Sequence, residues 1–422
     1  MGEMWNKMGR TKRLAHIRSN EQTDSFEVRG RYFAERLVAW YQAGHRDLPW
    51  RRTKDPYHIW VSEVMLQQTR VDTVIPYYER FIARYPTVAA LAEANEADLL
   101  KVWEGLGYYS RVRNMQLAAR TVLREYGGVI PDTLEEIRKL KGIGPYTAGA
   151  VLSIAYGKPV PAVDGNVLRV ISRYFLLYDD IAKPSARVKV EQLVESIIPR
   201  DAAGDFNQAL MELGALICTP RSPECSVCPA QERCSALLAG EVEQLPVKSK
   251  AKKPRDEERA AYIIEGSGER EGQIMLVRRP DEGLLARMWE LPNERMDFHM
   301  QRLMELDDRC FMEAEHVFSH IRWRMKVYRC AEHEIDKVLG RPLSALAGNE
   351  RTEIAGEEAA VYEAGEKTEN EPANEPVIAR ETGPADDSEH VIWVSRDTWR
   401  DVALPNVFVR ILSRYFSSDS FS

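Results

Sequence analysis

Long apolar runs are missing from this 422-residue chain. None approaches the ~20 residues that a membrane-spanning helix needs, and stretches such as Ala148–Ala155 have the length of core elements. The basic start, MGEMWNKMGRTKRLAHIRSN, has no apolar segment behind it, so a secretory signal is not expected. Cysteine is scarce as well: six are too few for the disulfide framework of a secreted protein of this size. These absences lead to the expectation of a cytoplasmic protein without a membrane partner. An excess of positive charge is also lacking, the formal net being −7. That balance would argue against nucleic acid if it were evenly spread. Residues 345–390 alone hold 13 acids and three bases, a net of −10, so the remainder stands near +3 and permits local basic surfaces.

With 44% hydrophobic and 29% charged residues the chain has the make-up of a globular protein, and its length exceeds the usual single core. Two domains are expected. Residues 1–28 are polar and aperiodic and read as a disordered extension. From 29 to 238 the pattern is helical, with Trp60, Val64, Val71, Ile75, Tyr78 and Ile82 recurring as one buried helical face. Pro86, Pro131, Pro161 and Pro199 mark helix boundaries. Residues 239–259 are charged and Pro-containing, as linkers are. Beyond them, 260–418 reads as a small α/β domain, with β-type runs at Ala261–Glu265, Ile274–Arg278, His316–Phe318, Trp323–Cys330 and His390–Val394. A helix is expected after Phe298 and another over Asn406–Tyr415. Within this half, 347–388 is Glu-, Ala- and Pro-rich and reads as a disordered acidic insertion.

Four cysteines, Cys218, Cys225, Cys228 and Cys234, fall within the loop 218–234. Four thiolates so close can wrap a tetrahedral metal or a cubane cluster, whereas four free thiols rarely crowd this way. Zinc ribbons pair two C-x2-C knuckles across a longer gap, and only one such pair occurs here. Arg221 and Arg233 lie inside the loop, where they are either solvated or within reach of phosphates.

Leu140-Lys141-Gly142-Ile143-Gly144-Pro145-Tyr146-Thr147-Ala148 has the form of helix, tight turn, helix. Gly142 and Gly144 permit positive φ and close backbone approach. Pro145 suits a first helical position and leaves outward N–H groups able to hold a DNA phosphate. Eighteen residues past Tyr146, Asp164-Gly165-Asn166 enters a helical run. Asp164 reads equally as a helix N-cap and as a carboxylate facing a sugar, and both can hold at once.

The segment Ile59-Trp60-Val61-Ser62-Glu63-Val64-Met65-Leu66-Gln67-Gln68-Thr69-Arg70-Val71 places Glu63 on the flank of the apolar stripe, partly buried. A glutamate on a helix usually pairs with a base at the surface. Partial burial would instead raise its carboxyl pKa and let it carry a proton near neutrality.

Taken together with Leu48-Pro49-Trp50-Arg51, Asp55-Pro56-Tyr57, Gly105-Leu106-Gly107-Tyr108-Tyr109-Ser110-Arg111 and Phe206-Asn207-Gln208, these motifs resemble the MutY-type adenine DNA glycosylases of the endonuclease III, or helix–hairpin–helix, superfamily. The resemblance implies a multidomain protein: an all-α glycosylase domain with an iron–sulfur loop, and a C-terminal α/β Nudix-like domain. It implies a 4Fe-4S cluster on the four cysteines, Glu63 as general acid, and Asp164 stabilising the sugar cation, with Tyr146 and Asn166 orienting the two acids. Leu66, Gln68, Thr69, Leu106 and Tyr108 would fill the gap left by a flipped adenine, while Gln208, Arg46, Trp50 and Arg51 would line its pocket. Strand-nicking members carry a lysine where this chain has Tyr146, which implies base removal by water alone. The partner would be duplex DNA with 8-oxoguanine:A or G:A mispairs, met by a monomer of bacterial type in the nucleoid. A glycosylase of other base specificity, or a silent damage-binding protein, are the rival readings.

In the second half, Gln273–Pro280, Gly283-Leu284-Leu285 and Met288-Trp289-Glu290-Leu291-Pro292 resemble a Nudix fold. The R-E-x-x-E-E helix that holds magnesium in Nudix hydrolases has no counterpart after Pro292, so binding is expected there and hydrolysis is not. Phe318-Ser319-His320 matches the place where MutY proteins sense 8-oxoguanine. A hydroxyl and backbone groups there can accept the N7–H that oxidation adds, although Ser319 and His320 would also suit a plain strand end.

Overall fold

The computed structural model describes residues 26–250, 253–296, 309–336 and 390–417. Most of the N-terminal extension, the stretch after Phe298 and the acidic segment 347–388 lie outside the described residues. The chain divides into two compact units, residues 1–93 with 114–250, and residues 94–113 with 251–422.

The first unit is helical: α1 (Phe26–Ala43), α2 (Pro56–Leu66), α3 (Val71–Arg84) and α4 (Val88–Glu93) come first. After α5 (Glu96–Trp103), which groups with the second unit, follow α6 (Ser110–Glu125), α7 (Leu134–Ile137), α8 (Pro145–Ile154), α9 (Gly165–Phe175), α10 (Pro184–Ile197), α11 (Ala203–Leu216) and α12 (Ser235–Ala239). Phe33, Leu37 and Tyr41 project from one face of α1 at steps of four. They meet Val167, Ile171 and Tyr174 of α9 and Phe206, Leu210 and Leu213 of α11 in one core. Each large side chain buried there contributes roughly 1.5–3 kcal/mol. Helix α1 starts at Phe26, inside the expected extension, because the Phe26 ring packs on Phe175 with centroids 5.2 Å apart.

The single stripe expected over 60–82 is two helices broken at Gln67–Arg70. Helix α2 is buried from Ile59 through Met65, whereas α3 buries Val74, Tyr78 and Phe81 and leaves Val71, Ile75 and Ile82 half-buried. Sidedness is thus lost in α2, and Glu63 is 4% exposed, well beyond the partial burial expected.

Among the described residues the second unit holds a seven-stranded mixed sheet: β1 (Arg255–Glu265), β2 (Gln273–Arg278), β3 (Trp289–Glu290), β4 (Asn293–Arg295), β5 (Cys310–Val317), β6 (Ile321–Ala331) and β7 (Val391–Ser395). Its main order is β3-β2-β1-β6-β5, with β4 paired to β1 and β7 to β2. Strands β1 and β6 run parallel over their whole length, from Arg255 opposite Ile321 to Glu265 opposite Ala331. Both faces of β1 are covered: Ala261 and Ile263 lie in one core with α13 (Asn406–Ser417), and Ala260, Tyr262 and Ile264 in another. A strand buried on both faces reads as an unbroken apolar run.

Two strand limits differ from the sequence reading. Residues 255–259, expected as linker, are the first half of β1. Their charges are taken up inside the sheet, where Glu257 and Arg259 are buried and paired at 3.2 Å and Arg259 lies 4.5 Å over the Trp323 ring. Strand β5 extends back to Cys310. Its Glu313 and Glu315 face solvent at the sheet edge, which masks the β pattern. Residues 240–250 remain with the helical unit, since Leu245 is buried and Ile181 N donates to Val247 O at 3.0 Å.

Residues 94–113 are tied into the second unit. Glu96 takes Arg113 at 3.1 Å and Arg287 at 2.8 Å, and Leu404 N donates to the Glu104 carboxylate at 2.8 Å.

Candidate active site

Three segments bring two carboxylates together. Asp55 caps α2, accepting from Tyr57 N at 2.8 Å, and Pro56 fixes the first turn, so the helix carries Glu63 into the interior. The hairpin brings α8 against it. Gly142 has φ +78°, and a Cβ there would come within 2.8 Å of Asn114. Gly144 differs from expectation. It is extended (φ −84°, ψ 178°) and serves as the N-cap of α8, so only Gly142 needs glycine's left-handed freedom. Pro145 follows at the first helical position and turns Tyr146 inward.

The Tyr146 hydroxyl donates to Glu63 Oε2 at 2.5 Å and lies 3.2 Å from Met211 Sδ. Burial raises the Glu63 carboxyl pKa to about 7. The Tyr146 hydrogen bond works against this rise, the Asp164 charge adds to it, and Arg51 opposes it. Tyr146 itself is pushed well up, first by burial and then by the Glu63 and Asp164 charges, so it stays a protonated donor.

Asp164 is the N-cap of α9, and both of its carboxylate oxygens accept hydrogen bonds. Its Oδ1 accepts from Val167 N at 2.7 Å and its Oδ2 from Asn166 Nδ2 at 2.8 Å. Asn166 is held in turn by Arg169, whose Nη2 donates to Asn166 Oδ1 at 2.7 Å and to Gly214 O at 2.8 Å. A Cβ on Gly214 would lie 2.6 Å from that of Asn166, so glycine lets α11 approach the start of α9. Of the two readings of Asp164, this geometry shows the capping one.

Of the residues expected to line the adenine pocket, Trp50 is buried and edge-on to Tyr78, and Gln208 is buried with Nε2 donating to Gly204 O at 3.3 Å. Arg46 and Arg51 are both turned onto Glu212, a residue the sequence reading passed over. Arg169 was also missed. The available signals were a lone glutamate in the apolar run Ala209–Leu213 and an arginine on the inner face of α9; their partners lie far away in sequence.

Leu66 and Thr69 are half-buried and Gln68 is exposed at the break between α2 and α3. Gln68 has φ +58°, a left-handed conformation rare outside glycine. In the second unit Tyr108 is likewise left-handed (φ +48°) and exposed. Leu106 is 6% exposed. Ser319 and His320 form the turn of the β5–β6 hairpin, with Ser319 Oγ 3.1 Å from His320 Nδ1. A cleft of about 620 Å³ in this unit is lined by Tyr108, Ser110, Phe318, Ser319 and His320 among others.

The cysteine loop closes on α9 and α11. Cys218, Cys228 and Cys234 pack on the helical core, and Arg173, fully buried, reaches the Cys218 sulfur at 3.4 Å. Burial first, then the charges of the other three cysteines, push the Cys228 thiol up to about 12, against a backbone hydrogen bond from Ala230. Among the described residues no three Cys, His, Asp or Glu side chains converge as a single-ion site. Four cysteines in one loop packed on the helical core are, by the chemistry of the donor set, fit to hold a metal or an iron–sulfur cluster.

A profile for HhH-GPD superfamily base excision DNA repair proteins matches residues 61–200, and one for the NUDIX domain matches residues 261–414. The adenine DNA glycosylase of Homo sapiens is 37% identical over 364 residues, which cover 71% of this chain and 67% of that one. Its counterpart in Schizosaccharomyces pombe is 34% identical over 372 residues, covering 70% and 81%. Among solved structures, a thermostable thymine-DNA glycosylase shares 30% identity with TM-score 0.47, over 51% of this chain and 100% of its own. A trapped endonuclease III–DNA covalent intermediate shares 25% with TM-score 0.43, over 51% and 95%.

Fold and profile together define a helix–hairpin–helix DNA glycosylase of base excision repair that carries a Nudix-type domain. The chain belongs to the adenine DNA glycosylase family. Among the described residues, no helix is long and apolar enough to cross a membrane.

Proposed function

We propose that the protein excises adenine mispaired with 8-oxoguanine or guanine in duplex DNA. The carrying observation is Glu63: a buried carboxyl with a pKa near 7, hydrogen-bonded to Tyr146 and under the influence of Asp164. Two carboxyls in unlike environments divide acid from stabiliser, as in glycoside hydrolysis. Glu63 donates its proton to N7 of the flipped adenine, which turns the base into a competent leaving group. The bond from C1′ to the base breaks with its electron pair going to adenine. The carboxylate of Asp164, held by Asn166 and the start of α9, stabilises the resulting sugar cation. Water adds to C1′ and loses a proton, giving free adenine and an abasic site. With Tyr146 at the hairpin position of the lyase lysine, no Schiff base forms and the strand stays intact.

Cys218, Cys225, Cys228 and Cys234 would hold a 4Fe-4S cluster, which stiffens the loop packed behind α9 when bound. In the second unit the Tyr108–Ser319 cleft is offered as the site for the base opposite adenine, with Ser319 as acceptor for N7–H of 8-oxoguanine. Duplexes holding 8-oxoguanine:A, G:A and G:T, incubated with the protein, test the reading. Release of adenine from the first two and no base from the third is expected. Release of thymine, or of nothing, overturns it.

A further inference from the structure

Glu212 lies in mid-helix on α11 with its side chain 1% exposed. One carboxylate collects three donor groups from Arg46 and a fourth from Arg51. Arg46 reaches it through its backbone N at 3.1 Å, Nε at 3.0 and 3.1 Å and Nη2 at 2.6 Å, and Arg51 through Nη2 at 2.8 Å. Burial works to raise the Glu212 pKa, but the hydrogen bonds from Arg46 and Arg51 prevail and bring it down to about 2. It is therefore an anion throughout the working range. Stability does not account for such a group, since a buried Arg–Glu–Arg cluster can often be replaced by apolar residues without loss. A role at the site does. Arg51 also donates to Arg46 O at 3.1 Å, sits 5.3 Å over the Tyr41 ring, and is the cation that acts on Glu63.

We propose that Glu212 is a positioning residue for adenine excision: it clamps Arg46 and Arg51 in the pocket wall and offsets the Arg51 charge at Glu63. This rests on Glu63 being the general acid. The groups acting on Glu63 are Tyr146 from α8, Asp164 from the start of α9 and Arg51 from the turn at Pro49–Arg51. On α3, packed against α2, Tyr78 lies against Trp50 and Asp72 acts on Arg46. From α11 come the neutral Met211 and the Glu212 anion. Without the anion, the full guanidinium charge of Arg51 favours ionised Glu63.

Single-turnover adenine release from an A:G duplex is measured from pH 5.5 to 9 for the intact protein, Glu212→Gln and Arg51→Gln, with duplex Kd alongside. Glu212→Gln is expected to move the alkaline fall of the rate to lower pH, so that its deficit grows at least several-fold between acid and alkaline pH. Arg51→Gln is expected to move the fall to higher pH. A merely structural loss would scale the rate equally at every pH. An unmoved limb in Glu212→Gln overturns the proposal. If that variant does not fold, an unmoved or downward limb in Arg51→Gln overturns it. Should the intact protein release no adenine, or show no alkaline fall, the reading of Glu63 fails instead.

Discussion

At the residue scale, the proposed chemistry depends on one proton held in the buried carboxyl of Glu63. Glu63→Gln keeps shape but cannot donate, so single-turnover adenine release should fall by at least ~10²-fold, with duplex binding within a few-fold. A variant retaining a tenth of the rate would count against a general acid. The same group sets the pH profile. Its folded pKa is raised to about 7, so the reactive protonated form is full below that pH and drains away above it. Release should be flat on the acid side and fall about tenfold per pH unit above neutrality, as expected when only the protonated acid reacts. A rate still rising at pH 8 would contradict this. Gln68 carries a different load. A left-handed non-glycine residue costs about 1–2 kcal/mol, against ~0.5–1 kcal/mol of extra chain entropy for glycine. Gln68→Gly should thus leave the melting temperature almost unchanged or slightly raised while excision drops. Clear destabilisation would show that the φ of +58° is not strain kept for function.

At the scale of elements, the sequence exposed what periodicity and turn chemistry encode. Gly142, Pro145 and Asp164 occupy the turn, the first helical position and the N-cap that their residue types favour. Long-range pairing was not legible. Arg255–Glu258 look like linker because a strand's charges seem exposed until Glu257 meets Arg259 and β6 lies alongside. Glu212 looked like an ordinary helix residue because its arginines lie 161 and 166 positions away. The depth of Glu63 was underestimated for the same reason: α8 and the turn at Pro49–Arg51 bury the side of α2 that the sequence leaves open. The cysteine loop is the other element whose meaning depends on distant contacts. Arg169 spans it, donating to Cys218 O at 2.8 Å while holding Asn166. The protein is expected to purify brown, with an absorbance band near ~400 nm from bound iron–sulfur. Cys218→Ser should lower folded yield and iron content, and reduce excision in the fraction that folds. Stoichiometric zinc in a colourless, active protein would overturn the cluster.

At the scale of the whole molecule, the proposed function divides the work between the two units. Both candidate acids lie in the first unit, and the second has a Nudix profile without the metal-binding carboxylate motif in its sequence. That division predicts discrimination, not chemistry, from the sheet. The cut that tests it must fall after Lys250, because residues 245–249 are anchored in the helical unit: Arg173 Nε donates to Leu245 O at 2.8 Å, and Ser249 N to Asp180 at 3.0 Å. Residues 94–113 complicate the experiment, since removing the sheet strips Glu96 of Arg287 and Glu104 of Leu404 N. The truncated protein should therefore retain measurable adenine release but lose preference for 8-oxoguanine:A over G:A. In the full chain, Ser319→Ala should erode the same preference more weakly, because one neutral hydrogen bond contributes ~0.5–1.5 kcal/mol, or roughly two- to twelve-fold. Comparing the two variants separates causes: disturbance of 94–113 would lower release on both duplexes, whereas loss of the Ser319 acceptor acts only on the oxidised one. If Ser319→Ala keeps the full preference and truncation lowers both rates equally, the sheet supports the 94–113 segment and does not sense the opposite base.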